Sequence, residues 1–181
     1  MPNEAGSPGP DIQLDPKTTR CYVCGPDNPD GLHVAFHAHG THGARAHYTV
    51  RTEHCGWPGI LHGGITFALM DEALAWACHF QGLYGVTARA ESRFRQPLHV
   101  GANLIIRGWT TERRRRLVTA RAEIHLDTDD GPLVAEADAT MYLPEAPEEE
   151  VRSQESGVRS QEKVQVPRPP RRRGPRDDRG K

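Results

Sequence analysis

The chain has 181 residues, of which 36% are apolar and 26% charged, with a formal net charge of −1, values that predict one globular domain with flanking tails. The stretch 144–181 holds 10 of the 23 Lys/Arg and 8 of the 24 Asp/Glu, which leaves 13 basic and 16 acidic residues, a net −3, elsewhere. The body therefore lacks an overall cationic field, and no nucleic-acid or anionic-membrane partner is expected for it.

Residues 1–20 are rich in Pro, Gly and Asp and predict a flexible arm. They show neither a basic n-region nor an apolar h-region, and no stretch reaches the roughly 18 consecutive apolar residues of a membrane span. With four cysteines and no sign of an oxidising compartment, a cytoplasmic location with reduced thiols is expected. "CYVCG" then has the spacing of half a zinc knuckle at Cys21 and Cys24, followed by His33, His37, His39 and His42. No second C-x-x-C exists to complete it. A tight Gly/Pro/Asn turn entering the first strand is the simpler account, and no metal is expected.

The domain proper is predicted over 21–143. "LHVAFHA" and "ARAHYTVRT" alternate apolar and polar residues around the turn "HGTHG". The run from 64 to about 80 predicts a single helix, buried along most of its girth and ended by "GLYG". Four strand candidates follow, "VTARAESRFRQPL", "NLIIRGWTTE", "RLVTARAEIHLD" and, after the turn "TDDG", "PLVAEADATMYL". The order strand, strand, helix, four strands predicts an α+β architecture, a long antiparallel sheet with one buried helix. Residues 144–181 contain no aromatic and predict a disordered charged, Pro/Arg-rich tail. Its repeat of Val-Arg-Ser-Gln-Glu at Val151 and Val158 offers one apolar residue per unit, too few for a coiled-coil seam.

The chemistry concentrates at the helix. Gly63 and Gly64 stand at its start, where backbone N–H groups are unpaired and the dipole is positive. Such an end holds a phosphate or steadies charge developing on a carbonyl oxygen. Asp71 follows Gly64 by about two turns, near the same face. A carboxylate in an apolar wall is suited to be a general base or nucleophile. Glu72, about 100° further round, is expected to face solvent or a partner chain in a structural role. Cys55 and Cys78 are expected to be small buried hydrophobes. Arg113, Arg114, Arg115 and Arg116 fall at a predicted hairpin, either as a solvated turn or as a contact for anionic phosphates.

"HGG" with Asp nine residues after the His, "GVT" opening a strand, "RFRQPLHVG", "DGPLVAEADATMYL" and the upstream "CYVCGPDNPDGLHV" together resemble the hotdog-fold acyl-CoA thioesterases of the PaaI-like type. The resemblance covers about 21–143 and implies a hotdog fold, a long antiparallel sheet wrapped around one central helix. It implies hydrolysis of an acyl-CoA thioester to free acid and coenzyme A without metal or redox cofactor. Residue by residue, it implies that Gly63 binds the thioester carbonyl through its N–H, with Gly64 beside it. Asp71 would activate water or attack the carbonyl, Thr87 would help hold the water, and His62 would orient the loop or hydrogen-bond near the thioester. It also implies a homodimer or homotetramer, because such sites commonly take the Gly and the Asp from different subunits. In one departure, Gly56 stands where some relatives carry Asn or Gln, which removes a polar contact to the reacting water or carbonyl. The alternative from another class is a non-catalytic acyl-CoA binding or sensing protein on the same fold. A third, a zinc-dependent nucleic-acid module built on Cys21, Cys24 and the basic tail, requires stoichiometric zinc.

Overall fold

A computed structural model describes residues 19–144, so most of the expected N-terminal arm and nearly all of the expected tail lie outside the described residues. The apolar run with its two carboxylates folds as α1, Gly63–His79. Leu69, Met70, Ala73, Leu74, Ala77 and Cys78 are fully buried on one side of it. Each large aliphatic of that set contributes about 1.5–3 kcal/mol on leaving water. The helix closes on Gly82, at φ 71°, where any other residue would be strained. The Leu83 N–H bonds back to the Cys78 carbonyl at 3.1 Å and the Gly82 N–H to that of His79 at 2.9 Å. This pairing satisfies carbonyls the helix leaves open at its end.

Among the described residues, eight strands accompany the helix: β1 Phe36–His39, β2 Gly43–Thr49, β3 Cys55–Trp57, β4 Ile60–Leu61, β5 Val86–Phe94, β6 Asn103–Arg114, β7 Leu117–Leu126 and β8 Leu133–Tyr142. Six of them form one antiparallel sheet in the order β1-β2-β6-β7-β8-β5. Alternation sorts the two faces. Ala46, Ile106, Ile124 and Ala135 lie in register across four strands and are buried with the helix. On the other face, Arg45, Arg107, Glu123, Glu136 and Arg93 lie in register. There Arg121 pairs with Glu123 and Glu136, and Arg95 with Glu136 as well.

The helix sits hard against the sheet at one point. A Cβ added at Gly108 on β6 would lie 2.4 Å from the Ala73 carbonyl oxygen, so only glycine admits the helix backbone there. This is the architecture predicted from the alternation, with two differences. The first predicted strand is regular only over Phe36–His39; residues 32 and 34 instead donate backbone bonds to the Tyr22 and Val23 carbonyls. The small β3–β4 ribbon, turning at Pro58 and Gly59, is an addition to the predicted strands. Among the described residues no helix is long and apolar enough to cross a membrane.

Candidate active site

The start of α1 is set by its own preceding residue. His62 has extended backbone, φ −61° and ψ 131°, and caps the helix by accepting the Gly64 N–H on Nδ1 at 2.9 Å. An Nδ1 that accepts leaves the neutral ring with its proton on Nε2. Gly64 is thus occupied, whereas the Gly63 N–H has no acceptor among the described residues. Gly63 is exposed, and a side chain there would meet nothing within 4 Å. The α1 tip therefore presents one open N–H at its positive end.

Gly56 is the counterpart of His62 on the β3–β4 ribbon. A Cβ at 56 would lie 2.8 Å from the His62 Cδ2 and 3.2 Å from its Cα. The imidazole fills the volume that an Asn or Gln at 56 would need. The glycine and the histidine position are coupled by that contact, a feature the departure at 56 alone does not reveal.

Asp71 is half-buried, and its Oδ1 accepts from the Thr87 hydroxyl at 2.6 Å. Thr87 reaches it because β5 is irregular at this point. Thr87 pairs with Met141 but Arg89 pairs with Thr140, which leaves Ala88 as an extra residue. Such a bulge bends the strand and re-aims its side chains. One carboxylate oxygen of Asp71 is held, and the other has no hydrogen-bond partner among the described residues.

Around the helix axis, Gly64, Phe67, Ala68, Asp71 and Ala75 fall within about 100° of one another, and past Gly64 all are half-exposed rather than buried. Along the axis, Gly63 and Asp71 are eight residues apart, about 12 Å at 1.5 Å per residue. An oxyanion donor must come within about 3 Å of the reacting oxygen. Within one chain the α1 tip and the Asp71 backbone therefore stand well apart along the helix.

Glu72 departs from the expectation of solvent or a partner chain. Its Oε1 accepts the Trp76 indole N–H at 3.0 Å, and its Oε2 accepts the Cys21 thiol at 3.3 Å. No cation pairs with it among the described residues. Nothing local in the sequence signals this contact, since Cys21 lies 51 residues away in the chain. Cys78 is fully buried, which pushes its thiol up to about 11, while Cys55 is only half-buried.

Arg113 to Arg116 form the exposed tip of the β6–β7 hairpin, with Arg115 at φ 54°. Arg114 pairs with Glu112 at 2.7 Å, and Arg116 donates to the Tyr142 hydroxyl at 3.1 Å. Tyr142 in turn pairs with Val86, next to Thr87. The tip thus lies at the end of the sheet that carries Thr87.

Residues 58–132 match the family model of the Thioesterase superfamily. No curated protein matches the chain at a significant level. Among solved structures, a thioesterase superfamily protein is 25% identical, with a TM-score of 0.63 over 68% of this chain and 60% of its own. The chain thus spans less than two thirds of that relative's length. The phenylacetic acid degradation protein PaaI of Thermus thermophilus, solved in a mutant form, is 28% identical, with a TM-score of 0.56 over 62% of this chain and 94% of its own. A hypothetical thioesterase of Streptococcus pneumoniae, solved with coenzyme A, is 21% identical, with a TM-score of 0.56 over 61% and 84%; at that identity the likeness is one of fold.

Proposed function

We propose that this chain, which matches the Thioesterase superfamily model over residues 58–132 and is similar in fold to solved thioesterases, hydrolyses an acyl-CoA thioester to free acid and coenzyme A, with Asp71 as general base or nucleophile. The observation that carries the reading is the half-buried Asp71 carboxylate. One of its oxygens is fixed by Thr87 and the other is open, on a helix face left uncovered by its own chain.

In this reading the thioester carbonyl oxygen lies on the open Gly63 N–H, at the positive end of α1. His62, which caps the same tip through Nδ1, would orient the loop or hydrogen-bond near the thioester. The Gly63 N–H is in place before charge develops on the oxygen. Asp71 takes a proton from water held near the Thr87 hydroxyl, and the hydroxide adds to the carbonyl carbon. Collapse of the tetrahedral intermediate breaks the C–S bond and releases the coenzyme A thiolate, a good leaving group that needs little protonation.

The distance of about 12 Å between Gly63 and Asp71 within one chain supports a site shared by two subunits. So do the half-exposed Phe67, Ala68 and Ala75 beside Asp71 and the outer edge of β5, which is unpaired among the described residues. A two-fold dimer that continues the sheet across β5 would bring the tip of one α1 to the Asp71 of the other. Acyl-CoA as the substrate class is supported by the coenzyme A in the streptococcal relative. Arg113 to Arg116 supply guanidinium groups for its phosphates from the exposed hairpin tip.

The test is release of free thiol from a panel of aliphatic and aromatic acyl-CoA thioesters by the purified full chain. Turnover of at least one, lost in Asp71→Asn, is expected. Acyl-CoA binding without turnover across the panel would replace the reading by the non-catalytic one.

A further inference from the structure

The Cys21–Gly25 turn is built around a sulfur. The Gly25 N–H bonds to the Cys21 carbonyl at 3.0 Å, and the Val23 N–H points at the Cys21 Sγ at 3.4 Å. Gly25 admits no side chain, since a Cβ there would lie 2.4–2.6 Å from the Cys21 and Thr19 backbones. This turn packs on α1 so that the Cys21 and Cys24 sulfurs and a Glu72 oxygen all lie within 4.8 Å of one another, each on a half-buried residue.

Three groups that carry negative charge when ionised are therefore crowded together, and Glu72 has no cation to pair with among the described residues. Half-buried charges of one sign are costly unless a counter-ion joins them.

We propose that Cys21, Cys24 and Glu72 bind a Zn²⁺ ion, with water in the fourth position. In a tetrahedral zinc site, with Zn–S near 2.3 Å and Zn–O near 2.1 Å, ligand atoms sit roughly 3.6–3.8 Å apart. The Cys21–Glu72 separation, 3.3 Å, is already close to that range, and the remaining pairs need contract by about 1 Å at most. Binding releases the two thiol protons to solvent as two Zn–S bonds form. Thiolates select a thiophilic metal over magnesium or calcium. Trp76, by donating to the far Glu72 oxygen, holds the carboxylate in its ligating orientation.

The histidines that follow this turn in sequence do not take part. The His33 Nδ1 lies 3.1 Å from the Gly25 carbonyl, and the His42 Nδ1 lies 3.0 Å from the Gln81 side chain. The ligand that completes the half-knuckle comes from the helix. The ion would pin the segment that pairs Leu32 with Tyr22 and Val34 with Val23 onto α1, one residue from Asp71. This pinning of the segment does not depend on the hydrolase reading.

The experiment loads the reduced full chain with Zn²⁺ alone, removes excess by gel filtration, and measures bound metal by mass spectrometry. One equivalent per chain is expected, with a fall of at least about tenfold in affinity for Cys21→Ser, Cys24→Ser and Glu72→Gln. Co²⁺ in its place should show thiolate-to-metal charge-transfer absorption. A chelator should lower the melting temperature of the wild type but not that of the Cys21→Ser/Cys24→Ser double variant. Substoichiometric zinc, zinc undiminished in the double variant, a Co²⁺ spectrum without the thiolate band, or a Cys21–Cys24 disulfide that persists under reducing purification would each overturn the assignment.

Discussion

Replacing Asp71 by Asn isolates its charge from its shape. The side chain keeps its volume, and the Thr87 hydroxyl can go on donating to Oδ1, now at 2.6 Å. Conversion of that charge-assisted bond to a neutral one costs about 1 kcal/mol of stability. Loss of a general base typically lowers rate by about 10²–10⁴-fold, which at 1.36 kcal/mol per tenfold is roughly 3–5 kcal/mol on the barrier. Because the carboxylate acts on water rather than on bound substrate, kcat should carry the loss while KM stays near the wild-type value. Thiol release from the best acyl-CoA, run beside urea denaturation of the same preparations, reads both effects. An Asn variant within about threefold of wild-type kcat, folded to the same extent, would refute the reasoning.

Three further outcomes rest on particular contacts. Gly108→Ala places a methyl group 2.4 Å from the Ala73 carbonyl oxygen, so the helix must lift, at about 1–3 kcal/mol; a urea midpoint equal to wild type would show that the contact yields freely. His54 is buried beside the Tyr48 hydroxyl, and burial, with Arg51 adding, holds its imidazole below the usual range. The unfolded chain takes up that proton first, so stability is full above about pH 6.5 and is lost as pH falls from there through the folded value. Urea titrations from alkaline to mildly acidic pH should show this slope, and His54→Gln should flatten it; an unchanged slope in the variant would assign the effect elsewhere. Arg113→Ala with Arg115→Ala should raise KM several-fold for acyl-CoA but not for the phosphate-poor acyl-pantetheine analogue; equal effects on both substrates would remove the phosphates from the account.

What can be read in the sequence tracks the range of the forces involved. Alternation in "NLIIRGWTTE" and "RLVTARAEIHLD" is a local signal, and β6 and β7 form where it places them. The apolar run after His62 likewise places α1 to within a residue. The β3 and β4 strands are three and two residues long, too short for a period to show. "WPG" is the ribbon's one local sign, a turn between Trp57 and Ile60. The residues proposed for catalysis are legible because they sit on or beside the helix, but their arrangement is not. That Thr87 reaches Asp71 depends on a one-residue bulge, and that Glu72 meets Cys21 depends on how a turn far upstream packs. Nor does the spacing from Gly56 to His62 reveal that one side chain fills the space left by the other.

The shared site can be tested with two crippled chains. Gly63 is the first residue of α1, follows a residue at φ −61° and ψ 131°, and has open space around its Cα. Proline fits such a position and removes only the N–H. Gly63→Pro and Asp71→Asn homodimers should each be nearly inactive. Mixed by co-refolding, about half of the dimers are hybrids, each with one intact site, so about a quarter of wild-type thioesterase activity should return. A mixture no more active than its parents would contradict a site completed by the helix tip of one subunit and the carboxylate of the other.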